Sequence, residues 1–241
     1  MAQNPLEQFT INRIVPLEAG GIDISFTNSS LWMVLALLSI SSFVILGMRK
    51  KEVVPGRWQS MVEMAYELVA NMIKDTAGAE AQRYFPFIFS LFTFILACNL
   101  LGMIPYSFTV TSHIIVTFAM AGFVFVGVTI IGFARHGIGY TKLFAPEGAS
   151  PILPVILIPI EIISYFIRPL SLSVRLFANM MAGHTMLKVF AGFVISLGAL
   201  GIFPLAFMVA LTGLEIIVAI LQAYIFSILA CIYLNDAIHL H

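Results

Sequence analysis

Residues 151–190 read PILPVILIPIEIISYFIRPLSLSVRLFANMMAGHTMLKVF, an apolar tract with isolated charges set inside it. At 1.5 Å of rise per residue, a helix over this whole length would reach about 60 Å, twice the ~30 Å of bilayer hydrocarbon. Such a helix must lie steeply tilted or bend, and Pro154, Pro159 and Pro169 supply bending points. The other reading cuts the tract at Pro169 into two short spans and leaves Arg168 and Arg175 at a loop in water. No Gly-rich or Asn-rich turn follows Pro169, whereas residues 191–203 carry Gly192, Gly198 and Gly201, which favours one bent element.

Outward from this tract the chain is built of the same material. Residues 31–48, 85–104 and 114–133 are apolar runs long enough to span, and 204–237 is a second long tract with a few polar residues. The 241 residues are 60% apolar and only 10% charged, with a mean hydropathy of +1.01, which excludes a soluble domain of ordinary surface. The expected fold is an all-α integral membrane protein. It has about five membrane helices plus one amphipathic surface helix, the last two membrane helices forming a long, tilted antiparallel hairpin. We read residues 1–241 as a single membrane domain: an outer N-terminal segment over 1–30, a first span over 31–48, the amphipathic surface helix over 55–76, a helical hairpin over 85–133 and the long hairpin, with the ion path, over 151–238.

Twelve basic and twelve acidic residues cancel, so nothing points to a nucleic-acid partner. Cys98 and Cys231 sit in apolar runs without metal-ligand spacing and read as packing residues, so no disulfide, metal or cofactor is expected. The first 21 residues lack the pattern of a signal or transit peptide, so an organellar chain of this kind would be made inside the organelle. Basic residues set the orientation. Arg49, Lys50, Lys51, Arg57, Lys74 and Arg83 follow the first span, and Arg135 and Lys142 follow the third, while the opposite side has only Arg13. The N-terminus is therefore expected outside and the C-terminus inside. In the helix between the first two spans, Trp58, Met61, Val62, Ala65, Leu68, Val69 and Met72 form an apolar stripe opposite Gln59, Ser60, Glu63, Glu67, Asn71 and Lys74, the pattern of a helix lying on the bilayer.

A charge at the bilayer centre costs about 2.5–3.5 kcal/mol on insertion scales. The last two tracts nevertheless contain Glu161, Arg168, Arg175, His184, Lys188, Glu215 and Asp236, with Ser171, Ser173, Asn179, Thr212 and Gln222 alongside. Lys188 and Arg168 can be read as snorkelling toward an interface; Arg175, between LSLSV and LFANMMAG, cannot. In an antiparallel hairpin, residues at equal depth have numbers of constant sum. That rule matches Arg175 with Gln222, His184 with Glu215 and Glu161 with Asp236, and it centres the turn within 191–203. Three layers follow: Glu161 and Asp236 toward the inside, Arg175 and Gln222 near the middle, His184 and Glu215 toward the outside. Histidine and a carboxylate can exchange protons, and arginine cannot. A fixed cation at mid-depth would divide a proton path into two half-channels. Arg175 has no acid in its own layer, which calls for a carboxylate from another membrane subunit unless Glu161, Glu215 and Asp236 balance it within the chain.

PLSLSVRLFANMMAGH, residues 169–184, closely resembles the signature of the a subunit of F-type ATP synthases, of the alphaproteobacterial or mitochondrial type. NLLGMIPYSF at 99–108, EIIVAILQ at 215–222 and YLNDAI at 233–238 extend the resemblance over nearly the whole chain. It implies a proton-translocating stator beside a ring of c subunits, held by b-type peripheral stalk subunits in a bacterial inner membrane, or otherwise a mitochondrial one. Arg175 would match the essential stator arginine, Gln222 its neighbour on the final helix, and Asn179 a polar residue one turn along. His184 and Glu215 would line the outer half-channel, and Glu161 the inner, with Ser171 and Asp236 also beside the path. No GxxxxGK[ST] loop occurs, so nucleotide chemistry would belong to other subunits. A secondary transporter is the main alternative, but the chain shows no internal repeat. A haem subunit would need paired ligands, and His184 is the only histidine in a membrane tract.

Overall fold

The computed structural model describes residues 9–16, 18–19, 22–23, 25–49, 52–104, 107–144 and 153–239. Lys50, Lys51, Pro105, Tyr106 and the start of the 151–190 tract lie outside the described residues, as does the Pro154 side chain. Six helices carry the fold: α1 (Asn28–Gly47), α2 (Arg57–Ala77), α3 (Phe85–Gly102), α4 (Ile114–His136), α5 (Leu153–Ser196) and α6 (Ile202–Ile238). Five of the helical segments are long and apolar enough to cross a membrane, so this is an all-α membrane protein. Four short strands, β1 (Arg13–Val15), β2 (Glu18–Ala19), β3 (Ile22–Asp23) and β4 (Phe26–Thr27), precede α1. They pair antiparallel, β1 with β4 and β2 with β3.

The bundle is organised around α6. Ala219, Ala223, Phe226, Ser227, Ala230, Leu234 and Ala237 recur at three- and four-residue intervals and are all buried. Four of these are alanine, so neighbouring backbones can approach closely, as in membrane helix packing generally. Helices α2, α3, α4 and α5 all pack on α6. On α3 the matching stripe is Ile88, Leu91, Phe92, Ile95, Cys98, Asn99 and Gly102. Its one strongly polar member is bonded on both sides. Asn99 donates from Nδ2 to the carbonyl of Ala219 (3.0 Å) and accepts from the Thr111 hydroxyl (2.8 Å), so the buried amide crosses the α3–α6 interface without an orphaned atom.

Helix α5 runs for 44 residues through Pro159 and Pro169, so the two-span reading fails and one element carries the tract from Leu153 onward. At about 66 Å it exceeds the hydrocarbon thickness twofold and has to lie steeply across the bilayer. The hydroxyls of Ser171 and Ser173 bond back to the carbonyls of Arg168 and Leu170 beside Pro169 (3.0 and 2.9 Å). The turn is tighter than the expected 191–203: Gly192 is still helical, and the reversal occupies only Leu197 to Gly201, where Gly198 takes φ +55°. A side chain there would be strained.

The face of α2 is rotated from the expected one. Gln59, Val62, Val69, Met72, Ile73 and Ala77 are buried against the bundle, and Gln59, read as part of the polar face, donates to the Glu52 carbonyl (3.0 Å) and the Glu63 carboxylate (2.8 Å). Trp58, Met61, Met64, Tyr66 and Leu68 are the exposed apolar residues. One helix therefore has two apolar faces, one for protein and one for lipid, and a single amphipathic stripe could not separate them.

Candidate functional site

Arg175 falls at the midpoint of α5. The α5 positions pointing into the bundle here are Leu172, Ser173, Leu176 and Met180, all buried. Ser171, Arg175 and Asn179, spaced by four, share the opposite, exposed face. Around them Val174 on α5 and Ile217, Ile220 and Leu221 on α6 are also exposed. The hairpin thus presents an apolar surface carrying one guanidinium. Among the described residues no carboxylate lies within ion-pair distance of Arg175 and no hydrogen bond reaches it. Gln222, matched to it in depth, is buried on α6.

Arg168, one and a half to two turns earlier, has the opposite circumstances. Its Nη1 lies 2.8 Å from Asp236 Oδ2, and its guanidinium sits over the rings of Tyr233 (5.3 Å) and Tyr165 (5.8 Å). The register match of Asp236 with Glu161 carries no contact between them among the described residues; Asp236 pairs with Arg168, two turns along α5 from Glu161. Glu161 is half-buried, with no carboxyl or amide of α6 bonded to it among the described residues. Above Arg168, hydroxyls link three elements: Thr129 of α4 to Tyr165 of α5 (2.6 Å), and Tyr165 to Tyr140 (3.2 Å).

The outer match holds in contact as well as in depth. His184 Nδ1 and Glu215 Oε1 are 3.1 Å apart across α5 and α6, both side chains buried. The angles fall outside those of a directed hydrogen bond, so both carboxyl oxygens are buried without a hydrogen-bond donor. Gly183 makes the approach possible, since a Cβ there would lie 2.6 Å from Glu215 Oε1 and 3.0 Å from its Cδ. Gly183→Ala should therefore push the carboxyl off His184.

The far side of His184 meets residues that sequence reading missed. Thr109 Oγ1 lies 2.9 Å from His184 Nε2, and Ser112 donates to the Thr109 carbonyl (2.6 Å). Thr109, Thr111 and Ser112 are all buried, in the segment between α3 and α4. His113 follows, stacked on Phe108 at 4.9 Å, and burial holds its imidazole below the usual range. The available signal was Asn99, an amide inside an apolar span, followed by TVTSH at 109–113 just beyond that span.

The described residues thus form a polytopic helical membrane protein with a buried acid–imidazole pair inside its longest hairpin and the Arg175 guanidinium on that hairpin's outer face. The chain belongs to the ATP synthase A chain family, which matches residues 30–235. It is 62% identical to ATP synthase subunit a of Pelagibacter ubique (strain HTCC1062) over 100% of both chains. It is 60% identical to ATP synthase subunit a of Paramagnetospirillum magneticum (strain ATCC 700264 / AMB-1), over 99% of each. To that of Chelativorans sp. (strain BNC1) it is 56% identical, again over 99% of each. Membership makes it a multi-pass component of the proton-transporting CF(0) sector of an ATP synthase, in keeping with a bacterial inner membrane.

Proposed function

We infer that this chain is the stationary half of a rotary proton path, offering two offset half-channels to a ring of c subunits and separating them at Arg175. The observation that carries this is the contrast between its two mid-hairpin arginines. Arg168 has its counter-ion within the chain at 2.8 Å, and Arg175 faces outward from an apolar surface with none among the described residues. A cation on such a face is strongly unfavourable in lipid, so its counter-ion comes from a neighbour. An acid carried on a moving ring supplies it.

In this reading a proton enters from the outer water past His184 and Glu215 and neutralises a ring carboxylate. The neutral site can then turn into lipid. Another site returning from lipid loses its proton to the inner path, beside Glu161 and Asp236, and is held as an anion by Arg175. Ser171 and Asn179 flank the guanidinium along its face, and Gln222 supports it from α6. Because arginine stays protonated, no proton can cross directly between the two paths. Each charge crossing is worth about 2.3 kcal/mol per 100 mV, which sets the direction of rotation. The N-terminus lies outside and the C-terminus in the cytoplasm, and b-type stalk subunits hold the assembly still against the ring.

Cysteine cross-linking tests the geometry. Cys98 and Cys231 are 2% and 0% exposed and stay silent to membrane-impermeant oxidants. Ser171→Cys and Asn179→Cys should each form disulfides with cysteines placed beside the ring carboxylate. If neither does, in complexes that assemble normally, the Arg175 face does not meet the ring.

A further inference from the structure

Thr109 is 5% exposed, and its hydroxyl lies 2.9 Å from His184 Nε2 and 3.2 Å from the carbonyl oxygen of Gly102 at the end of α3. A hydroxyl has a single hydrogen to give. Given to the Gly102 carbonyl, which can only accept, it leaves the hydroxyl oxygen free to accept from an Nε2–H, and both contacts become bonds. Given to Nε2, it leaves the Gly102 contact without a hydrogen, and the carbonyl keeps only the Ser107 hydroxyl at 3.0 Å. Buried polar groups settle into the arrangement that satisfies more of them, and the first satisfies both.

We propose that Thr109 is a positioning residue that holds His184 as its Nε2–H tautomer, so that Nδ1, the nitrogen facing Glu215, takes and returns the transported proton. Nδ1 is 3.1 Å from Glu215 Oε1, close enough for transfer after the carboxyl swings into line. In the neutral ring of this tautomer Nδ1 carries a lone pair. An arriving proton rests either on Glu215, as a carboxylic acid beside neutral imidazole, or on Nδ1, as imidazolium beside carboxylate. Passing between these states breaks the O–H bond of Glu215 and forms the N–H bond at Nδ1, once a small swing of the carboxyl brings the two groups into line. In the other tautomer an Nδ1–H would already fill the gap, and the lone pair would point at Thr109, whose hydrogen would have to leave the Gly102 carbonyl to meet it. A third residue that orients an imidazole so that one nitrogen stays free is a general device of proton-handling sites. The functional consequence rests on the outer proton path proposed above, whereas the tautomer follows from Thr109 alone.

The test uses the assembled complex in lipid, with 15N-labelled histidine and solid-state nuclear magnetic resonance. The His184 signals are identified by their loss in His184→Gln. In the wild type and in Thr109→Ser the neutral ring should carry its hydrogen on Nε2. In Thr109→Val, isosteric but without the hydroxyl, the Nδ1–H form should appear. ATP-driven pumping per assembled complex should fall about tenfold in Thr109→Val, the lower order for removing a group that orients an imidazole, and stay within about twofold of wild type in Thr109→Ser. A neutral Nδ1–H ring in the wild type would overturn the proposal whether or not any variant assembles. Full pumping in Thr109→Val, or equal slowing by valine and serine, would overturn it too. Full pumping in Glu215→Gln strikes at the outer path instead, and the wild-type spectrum separates the two failures.

Discussion

Arg175→Ala should leave an assembled complex that cannot pump protons, with ATP-driven acidification of vesicles reduced on the order of a hundredfold or more. The expectation of normal assembly comes from the fold: Arg175 is exposed, and among the described residues nothing in the chain is bonded to it. Its removal orphans no buried group, unlike loss of a paired internal charge. The loss of pumping comes from the opposite consideration. In the proposed mechanism a ring carboxylate arriving from lipid gives up its proton in surroundings where the anion is otherwise unstable, and the fixed guanidinium stabilises it. Arg175→Lys should rescue little, because an ammonium lacks the planar fork and can itself lose a proton once desolvated. Pumping at the normal rate by alanine complexes, with subunit content checked, would remove the central residue from the mechanism.

Glu215→Gln should slow proton flow through the outer path by roughly tenfold to a hundredfold, the range for losing one group that accepts and releases a proton. Glutamine keeps the size of the side chain, so the close packing against Gly183 survives and the change falls on proton exchange alone. His184→Gln should cost a similar factor. The double variant should be little worse than either single one, since members of a 3.1 Å pair act as a unit. Passive proton conduction after removal of the catalytic sector measures this directly. A rate unchanged across pH would show that protons travel by another route.

The sequence disclosed the hairpin because length and composition alone dictate it: 44 apolar-rich residues fit a bilayer only at a steep angle. Depth was legible too, since an antiparallel pair with a known turn has a fixed register, and that register brought His184 to Glu215. Rotation was not legible. Asp236 matched Glu161 in depth yet binds Arg168, and Gln59 belonged by pattern to the polar face of α2 yet packs inside. Both depend on how an element is turned toward its neighbours, which no periodicity within one helix encodes. Thr109 escaped notice because the segment after α3 is short and aperiodic. Its role exists only after α5 is laid beside it.

Helix α6 packs against α2, α3, α4 and α5, and four alanines are among its buried residues. Under the proposed function a ring slides past the free side of the hairpin, and its drag would fall on a helix backed by the rest of the bundle rather than on a lone pair, so that the cation at the centre of the hairpin would keep its place.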